Sequence, residues 1–235
     1  MRMPVEERRE LLLESAFRVI ARRGVDGATT RAICAEAGVT LSTFHYVFAT
    51  RDELLAALVE RGTDKELAAV EAALGEGAQE LSRGRDGLVA VMRTALGAYI
   101  DGVEADPDRE QAMISLNQYA RQTDGLSDLG TQMYLRYYAA LAEALDTVAA
   151  ATGTSWDRPA AELAPLVLAA TDGITLSYLN IGDRPVCDLI ADAAVDTLAS
   201  HIVDGPGPDP SGTDGPGPDR SDTDGPDPDR SDTDQ

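Results

Sequence analysis

From Val5 to Val203 the chain alternates long Ala- and Leu-rich stretches with short breaks that carry Gly or Pro, and it lacks the strict apolar–polar alternation of half-buried strands. That pattern confines the fold to packed helices, and the expected class is all-α. Leu13, Ala16, Phe17 and Ile20 recur at helical spacing, which predicts a first helix from Val5 to Arg23 closed by Gly24. Thr29 or Thr30 caps a short segment reaching Ala37, and Gly38 breaks it. Thr40 caps a second short helix to Phe48, and Thr50 caps a longer one opening with Arg51-Asp52-Glu53. Later breaks fall at Gly75–Gly77, Gly84–Gly87, Asp106-Pro107, Asp124-Gly125, Gly153–Pro159 and Gly182–Pro185. No strand is required. Pro165 leaves two readings open: its helix starts near Ala164 with the proline in the first turn, or a longer helix is kinked there.

Charge divides the 235 residues further. The chain counts 20 Lys+Arg against 41 Asp+Glu, a net charge of −21, but residues 1–61 hold nine Arg and nine acidic groups and are neutral. An acidic protein repels nucleic acid, so this stretch is where that objection is weakest. Residues 204–235 are three copies of a ten-residue unit, clearest as DGPGPDRSDT, with ten Asp and two Arg and no large apolar residue. Such a segment cannot bury enough surface to offset its ordering entropy, and a disordered acidic tail is expected. The domains expected are therefore 1–61, 62–203 and the tail 204–235.

Several function classes fall away. Two cysteines, Cys34 and Cys187, exclude a disulfide scaffold, and neither His45 nor His201 has a ligand partner at helical spacing, so neither a metal site nor a cofactor is expected. The sequence shows no nucleophile–base pair and no Gly-rich phosphate loop, which argues against an enzyme. No run approaches the roughly 18–20 apolar residues of a membrane span. A cytoplasmic protein without a membrane partner is the expectation.

The stretch Thr29 to Phe48, TTRAICAEAGVTLSTFHYVF, is the most informative. Ile33 and Ala37 lie one turn apart, Val39 follows the Gly38 break, and Phe44, Val47 and Phe48 share one face of the next helix. Two short helices held by such a stripe across a glycine turn form a helix-turn-helix. At 100° per residue Ser42, His45 and Tyr46 point away from that stripe, with Leu41 and Thr43 on the flanks. Hydroxyls there can meet base edges or phosphates and Leu41 can meet thymine methyls, while Thr40 stands at a helix N-terminus where a phosphate could dock. No Arg or Lys lies between Thr40 and Thr50, so phosphate contacts are expected from the flanks, with Arg51 the best placed.

These residues resemble the N-terminal domain of TetR-family transcriptional regulators. The likeness runs over residues 5–61: Thr29-Thr30, Ile33, Ala37-Gly38-Val39, Thr40, Thr43-Phe44-His45-Tyr46, then Phe48-Ala49-Thr50-Arg51-Asp52-Glu53-Leu54. Ser42 stands where the family usually has Gly, and His45 where it has a phosphate-contacting Tyr. The resemblance implies DNA contacts from Thr30, Thr40, Leu41, Ser42, Thr43, His45, Tyr46 and Arg51. It also implies a C-terminal helical domain that dimerises and binds a small-molecule effector, whose binding releases a palindromic operator. The protein is then a repressor. A rival reading is a helical small-molecule-binding protein whose DNA domain has lost useful affinity.

Beyond residue 61 the likeness is one of length and helical content. Two apolar helices, about 160–182 and 186–202, are the expected dimer helices, through Leu166, Ala170, Ile174, Ile190, Ala194 and Leu198. Polar and aromatic residues within the C-terminal helices are the candidate effector contacts: Tyr99, Asn117, Gln118, Arg121, Tyr138, Asp172, Thr175 and Tyr178. The run Asn117-Gln118-Tyr119-x-Arg121 has the chemistry to hold an anionic or carbonyl-bearing molecule.

Overall fold

The structure, a computed structural model, describes residues 3–77 and 82–205, with side chains described outside 68–77. Nine helices follow in order among these residues: α1 (Val5–Gly27), α2 (Thr30–Ala37), α3 (Leu41–Val47), α4 (Arg51–Gly77), α5 (Gly84–Ala105), α6 (Pro107–Gln122), α7 (Ser127–Thr152), α8 (Ala160–Ile181) and α9 (Arg184–Ala199). The fold is all-α apart from two three-residue strands.

Local chemistry explains most of the boundaries. Thr29 Oγ1 accepts from Ala32 N at 3.2 Å and Thr40 Oγ1 from Thr43 N at 3.3 Å, so α2 and α3 each start on a threonine cap. Between them Gly38 sits at φ 65°, a left-handed conformation that a Cβ would strain. Before α4 the bonding is reciprocal: Glu53 N donates to Thr50 Oγ1 at 3.1 Å, while Ala49 N donates to Glu53 Oε2 at 2.7 Å. Asp106 Oδ1 caps α6 through Arg109 N at 3.2 Å, with Pro107 in the first turn.

Four boundary expectations are corrected. The first helix continues past Gly24, which leaves helical geometry at φ 69°, and the chain makes another turn to Gly27. Strands β1 (Thr154–Trp156) and β2 (Ile202–Asp204) pair antiparallel, Trp156 opposite Ile202, and Trp156 Nε1 donates to Leu145 O at 3.1 Å. Three residues are too few for an alternation to register in the sequence, and the pairing ends α9 at Ala199 rather than residue 202. It also places Asp204 in a strand and lets Ser155 Oγ donate to Gly205 O at 2.6 Å, so the expected tail loses its first two residues to the fold. Its remainder, 206–235, lies outside the described residues. Of the two readings left open for Pro165, the longer helix is the one seen: α8 starts at Ala160, so Pro165 falls inside it, on its exposed side, where the carbonyl left without a partner can meet water.

Two apolar clusters hold the molecule. The first joins Leu12, Leu13, Ala16 and Ile20 of α1 to Ile33, Phe44, Phe48, Leu54 and Leu58, and extends into Met113 and Leu116 of α6. The second joins Leu88, Met92 and Ile100 of α5 to Leu145, Leu163, Ile174, Val195 and Leu198. Helix α4 runs without a break across residues 61 and 62, and Gly62 lets α6 approach it: a Cβ there would lie 2.3 Å from Met113 Sδ. Helix α8 is long and apolar enough, at mean hydropathy 1.2, to cross a membrane by composition alone. The sequence expectation of no such stretch missed it because Thr, Gly and Asp interrupt the apolar run. It packs between α7 and α9 and buries Leu163, Leu168 and Ile174.

Candidate nucleic-acid interface and effector region

Helix α3 divides its side chains as a reading helix requires. Phe44 is fully buried and Val47 packs against the first core, whereas Leu41, Ser42, His45 and Tyr46 are exposed, Tyr46 at 62%. At the N-terminus Thr40 Oγ1 lies 2.8 Å from Ser42 Oγ and 2.9 Å from Thr43 Oγ1, so three hydroxyls bunch around one helix end. Thr43 is half-buried in that bunch, and Thr30, also half-buried, opens α2. The His45 ring meets Phe44 edge-on with centroids 5.5 Å apart. Cys34 is buried, its thiol 3.8 Å from Thr40 O, and burial pushes its pKa up, which fits packing rather than reactivity.

Arg51 departs from expectation. It is not a free flanking cation: its side chain is 22% exposed, with Nε donating to Ala28 O at 2.9 Å, Nη1 to the Tyr119 hydroxyl at 2.9 Å and Nη2 to Val25 O. The planar fork fits two carbonyls and a phenol where α1, α4 and α6 meet. The positive charge beside α3 comes from residues the sequence reading passed over. Arg8 lies over the Tyr46 ring at 5.7 Å, Arg9 over Phe48 at 5.4 Å, and Arg31 is exposed on α2. Arg31 follows Thr30 directly, so its place in the short first helix was the available signal. Arg18 and Arg22 are engaged by Glu36 at 3.0 and 2.6 Å, which holds that carboxyl below the usual range.

The candidate effector residues do not gather as the sequence suggested. Gln118 and Arg121 are exposed, and Tyr119 turns to Arg51, so the Asn117–Arg121 run spreads around α6. Asn117 Oδ1 is shut off from solvent without a hydrogen-bond partner. Tyr178 packs half-buried against the second core, and the Tyr138 ring lies 6.1 Å from that of Tyr134.

What the structure does bring together is a polar seam among α4 to α8. Tyr99 bonds to Thr175 Oγ1 at 2.6 Å, Tyr134 donates to Asp172 Oδ2 at 2.8 Å, and Tyr137 donates to Glu66. Arg109 reaches Glu66 Oε1 at 3.2 Å and Glu110 Oε1 at 3.9 Å. Burial pushes the Glu66 and Asp172 carboxyls up, and burial with the nearby Glu66 charge raises Glu110 to about 7. Sequence reasoning missed Glu66, Arg109 and Glu110. Glu110 shares the Met113–Asn117 face of α6, an acid on a partly apolar stripe, and that was a usable signal. A cleft of about 390 Å³ opens nearby between α1, α4 and α6, lined among others by Phe17, Arg61, Lys65 and Arg109.

A threonine-capped pair of short helices, a left-handed glycine between them and an exposed polar face make up this end of the chain, and a sequence profile matches it. The profile of the "Bacterial regulatory proteins, tetR family" matches residues 12–58, which contain all of α2 and α3. Residues 12–58 are therefore a TetR-type domain. The chain is 27% identical over 209 residues to the HTH-type nicotine-responsive transcriptional repressor HdnoR of Paenarthrobacter nicotinovorans, covering 84% of this chain and 99% of that protein. Over 51 residues, 22% of this chain and 25% of the relative, it is 47% identical to the HTH-type transcriptional regulator PksA of Bacillus subtilis. In fold it is similar to a TetR-family regulator structure from Mesorhizobium loti, with TM-score 0.68 at 14% identity over 86% of this chain and 99% of that one. A regulator structure from Pseudomonas aeruginosa gives 0.67 at 23%, over 85% and 93%.

Beyond its TetR-type helix-turn-helix domain the chain carries an apolar surface on α8 and α9, though not through all the expected residues. Ile174 is fully buried and Leu198 is 2% exposed, both inside the chain's own second core, so neither can meet a partner. Ala170, Ile190 and Ala194 are half-buried and Leu166 is exposed. Leu176, Ile181 and Leu189 are exposed too, Leu189 at 70%.

Proposed function

We propose that this protein is a dimeric repressor that binds a near-palindromic operator and leaves it when a small molecule enters the C-terminal helices. The observation that carries the DNA half is the exposed face Leu41, Ser42, His45 and Tyr46 above the Thr40 cap, flanked by Arg8 and Arg31. Leu166, Leu176, Ile181 and Leu189 support dimerisation, because four exposed large apolar residues on two adjacent helices leave a patch that a second copy would cover. Two-fold symmetry then presents two reading helices to equivalent half-sites. Selection of duplexes from a random library by the intact protein tests this. Enrichment of a near-palindrome is expected; no enrichment would favour a helical ligand-binding protein without useful DNA affinity.

For the effector, the polar seam favours a protonated amine with an aromatic body. Glu66 and Glu110 share one cation, Arg109, while Asp172 is met by the Tyr134 hydroxyl, and the three carboxyls stand among Tyr99, Tyr134 and Tyr137. An entering cation would offset the excess negative charge and could lie against the tyrosine rings. The relative named nicotine-responsive supports that choice, since nicotine carries a basic amine. With Glu110 titrating near 7, a cation beside it lowers that pKa and expels a proton at neutral pH. Calorimetry with nicotine in two buffers of different ionisation heat should show proton release that Glu110→Gln removes. Equal heats with nicotine's uncharged lactam analogue would count against the amine.

A further inference from the structure

Arg51 stands at the first position of α4, beside the recognition helix, yet its guanidinium faces inward. Three of its nitrogens reach two separate parts of the chain. Nε and Nη2 hold the carbonyls of Ala28 and Val25, at the corner where α1 gives way to α2. Nη1 donates to the Tyr119 hydroxyl at 2.9 Å, and the guanidinium lies over that ring at 5.2 Å from its centroid. The nearest carboxylate, Asp52, is 3.9 Å away. Thr29, the cap of α2, follows Ala28 directly, and α3 folds onto α2 across Gly38. The orientation of the reading helix is therefore tied, through one side chain, to where α6 places Tyr119.

We propose that Arg51 and Tyr119 together are the positioning contact that sets α2 and α3 relative to the C-terminal helices, and that Arg51 touches no phosphate. The proposal rests on the DNA-binding reading above. Geometry supplies its reason: a planar guanidinium can bond two carbonyls and a phenol at once and stack on the ring, whereas an ammonium cannot reproduce the fork. A shift of α6 by about 1 Å takes a 2.9 Å contact out of hydrogen-bond range, so the tie is sensitive to movement in the region of the polar seam, whose Arg109 and Glu110 lie on the same helix.

Phosphate contact and positioning predict different salt behaviour. A phosphate contact contributes about 0.9 to the slope of log Kd against log salt. The test uses the intact protein and a duplex enriched by the wild type from a random library, with Kd measured at several salt concentrations at 10 °C, below unfolding. Tyr119→Phe removes a single hydroxyl and is expected to weaken binding about three- to tenfold with an unchanged slope. Arg51→Lys keeps the charge but loses the fork, and is expected to weaken binding at least about tenfold. Arg51→Gln is expected to do the same with the wild-type slope. Near-wild-type affinity in Arg51→Lys, or a slope lowered by about 0.9 for each arginine lost in Arg51→Gln, would overturn the proposal. So would Tyr119→Phe that melts earlier but binds with wild-type affinity, because that is what a purely structural contact would do. A wild type that enriches no duplex would sink the DNA-binding reading as well, and the two failures are thus distinct.

Discussion

Glu110 is a carboxyl 12% exposed, with its nearest cation at 3.9 Å and a second carboxylate, Glu66, in the same seam. Its pKa in the folded chain is about 7, raised from 4.5. Between those values the folded state holds a proton that the unfolded state has lost. Stability from this group is thus present at low pH and lost as pH rises toward 7, by an amount on the order of 3 kcal/mol. Glu110→Gln should flatten that part of the stability curve, as urea melts at pH 5 and pH 7.5 would show; an unchanged pH slope would mean another group sets it. Gly38 is legible by contrast. Its φ of 65° and the open space beside it leave backbone strain as the sole cost of a side chain, so Gly38→Ala should lose about 1–2 kcal/mol in a thermal melt. A turn glycine announces itself in the sequence because the demand is local. The raised pKa of Glu110 could not be read there, because its neighbours come from other helices.

Helix ends behave like Gly38. Thr40 and Thr50 cap the helices the sequence assigned to them, Thr29 rather than Thr30 caps α2, and Asp106 caps α6 where the sequence marked only a break, because each cap bonds a backbone amide three residues on. Helix faces behave differently. Periodicity marks α8 and α9 as apolar, but it does not say which of two apolar sides meets the chain's own core. Ile174 and Leu198 turn inward, while Leu176 and Leu189 turn outward. Two aspartate substitutions separate these roles. Ile174→Asp buries an unpaired charge and should cost several kcal/mol, giving unfolded or aggregated protein. Leu189→Asp should leave the monomer's helicity and melting intact while shifting the species seen by light scattering to half the mass. A folded Ile174→Asp, or Leu189→Asp that stays at wild-type mass, would reverse the assignment.

Across the whole molecule, charge is the feature the sequence states most directly. Residues 206–235 hold nine Asp and two Arg, beside an N-terminal region that is net neutral. Removing them should raise affinity for random duplex at low salt more than at moderate salt, since non-specific binding is electrostatic and screened over about 10 Å at 0.1 M. Equal affinities at low salt would leave the segment without a part in DNA discrimination. The sequence by itself determined the helical class, the breaks, the threonine caps and the helix-turn-helix, because each follows from residues within one or two turns of one another. Tertiary structure alone decided that Arg51 bonds Tyr119, 68 positions later, that Glu66, Glu110 and Asp172 converge on one seam, and that β1 finds β2. Those contacts depend on how helices pack in space, and a one-dimensional pattern carries no record of which distant side chains a fold makes neighbours.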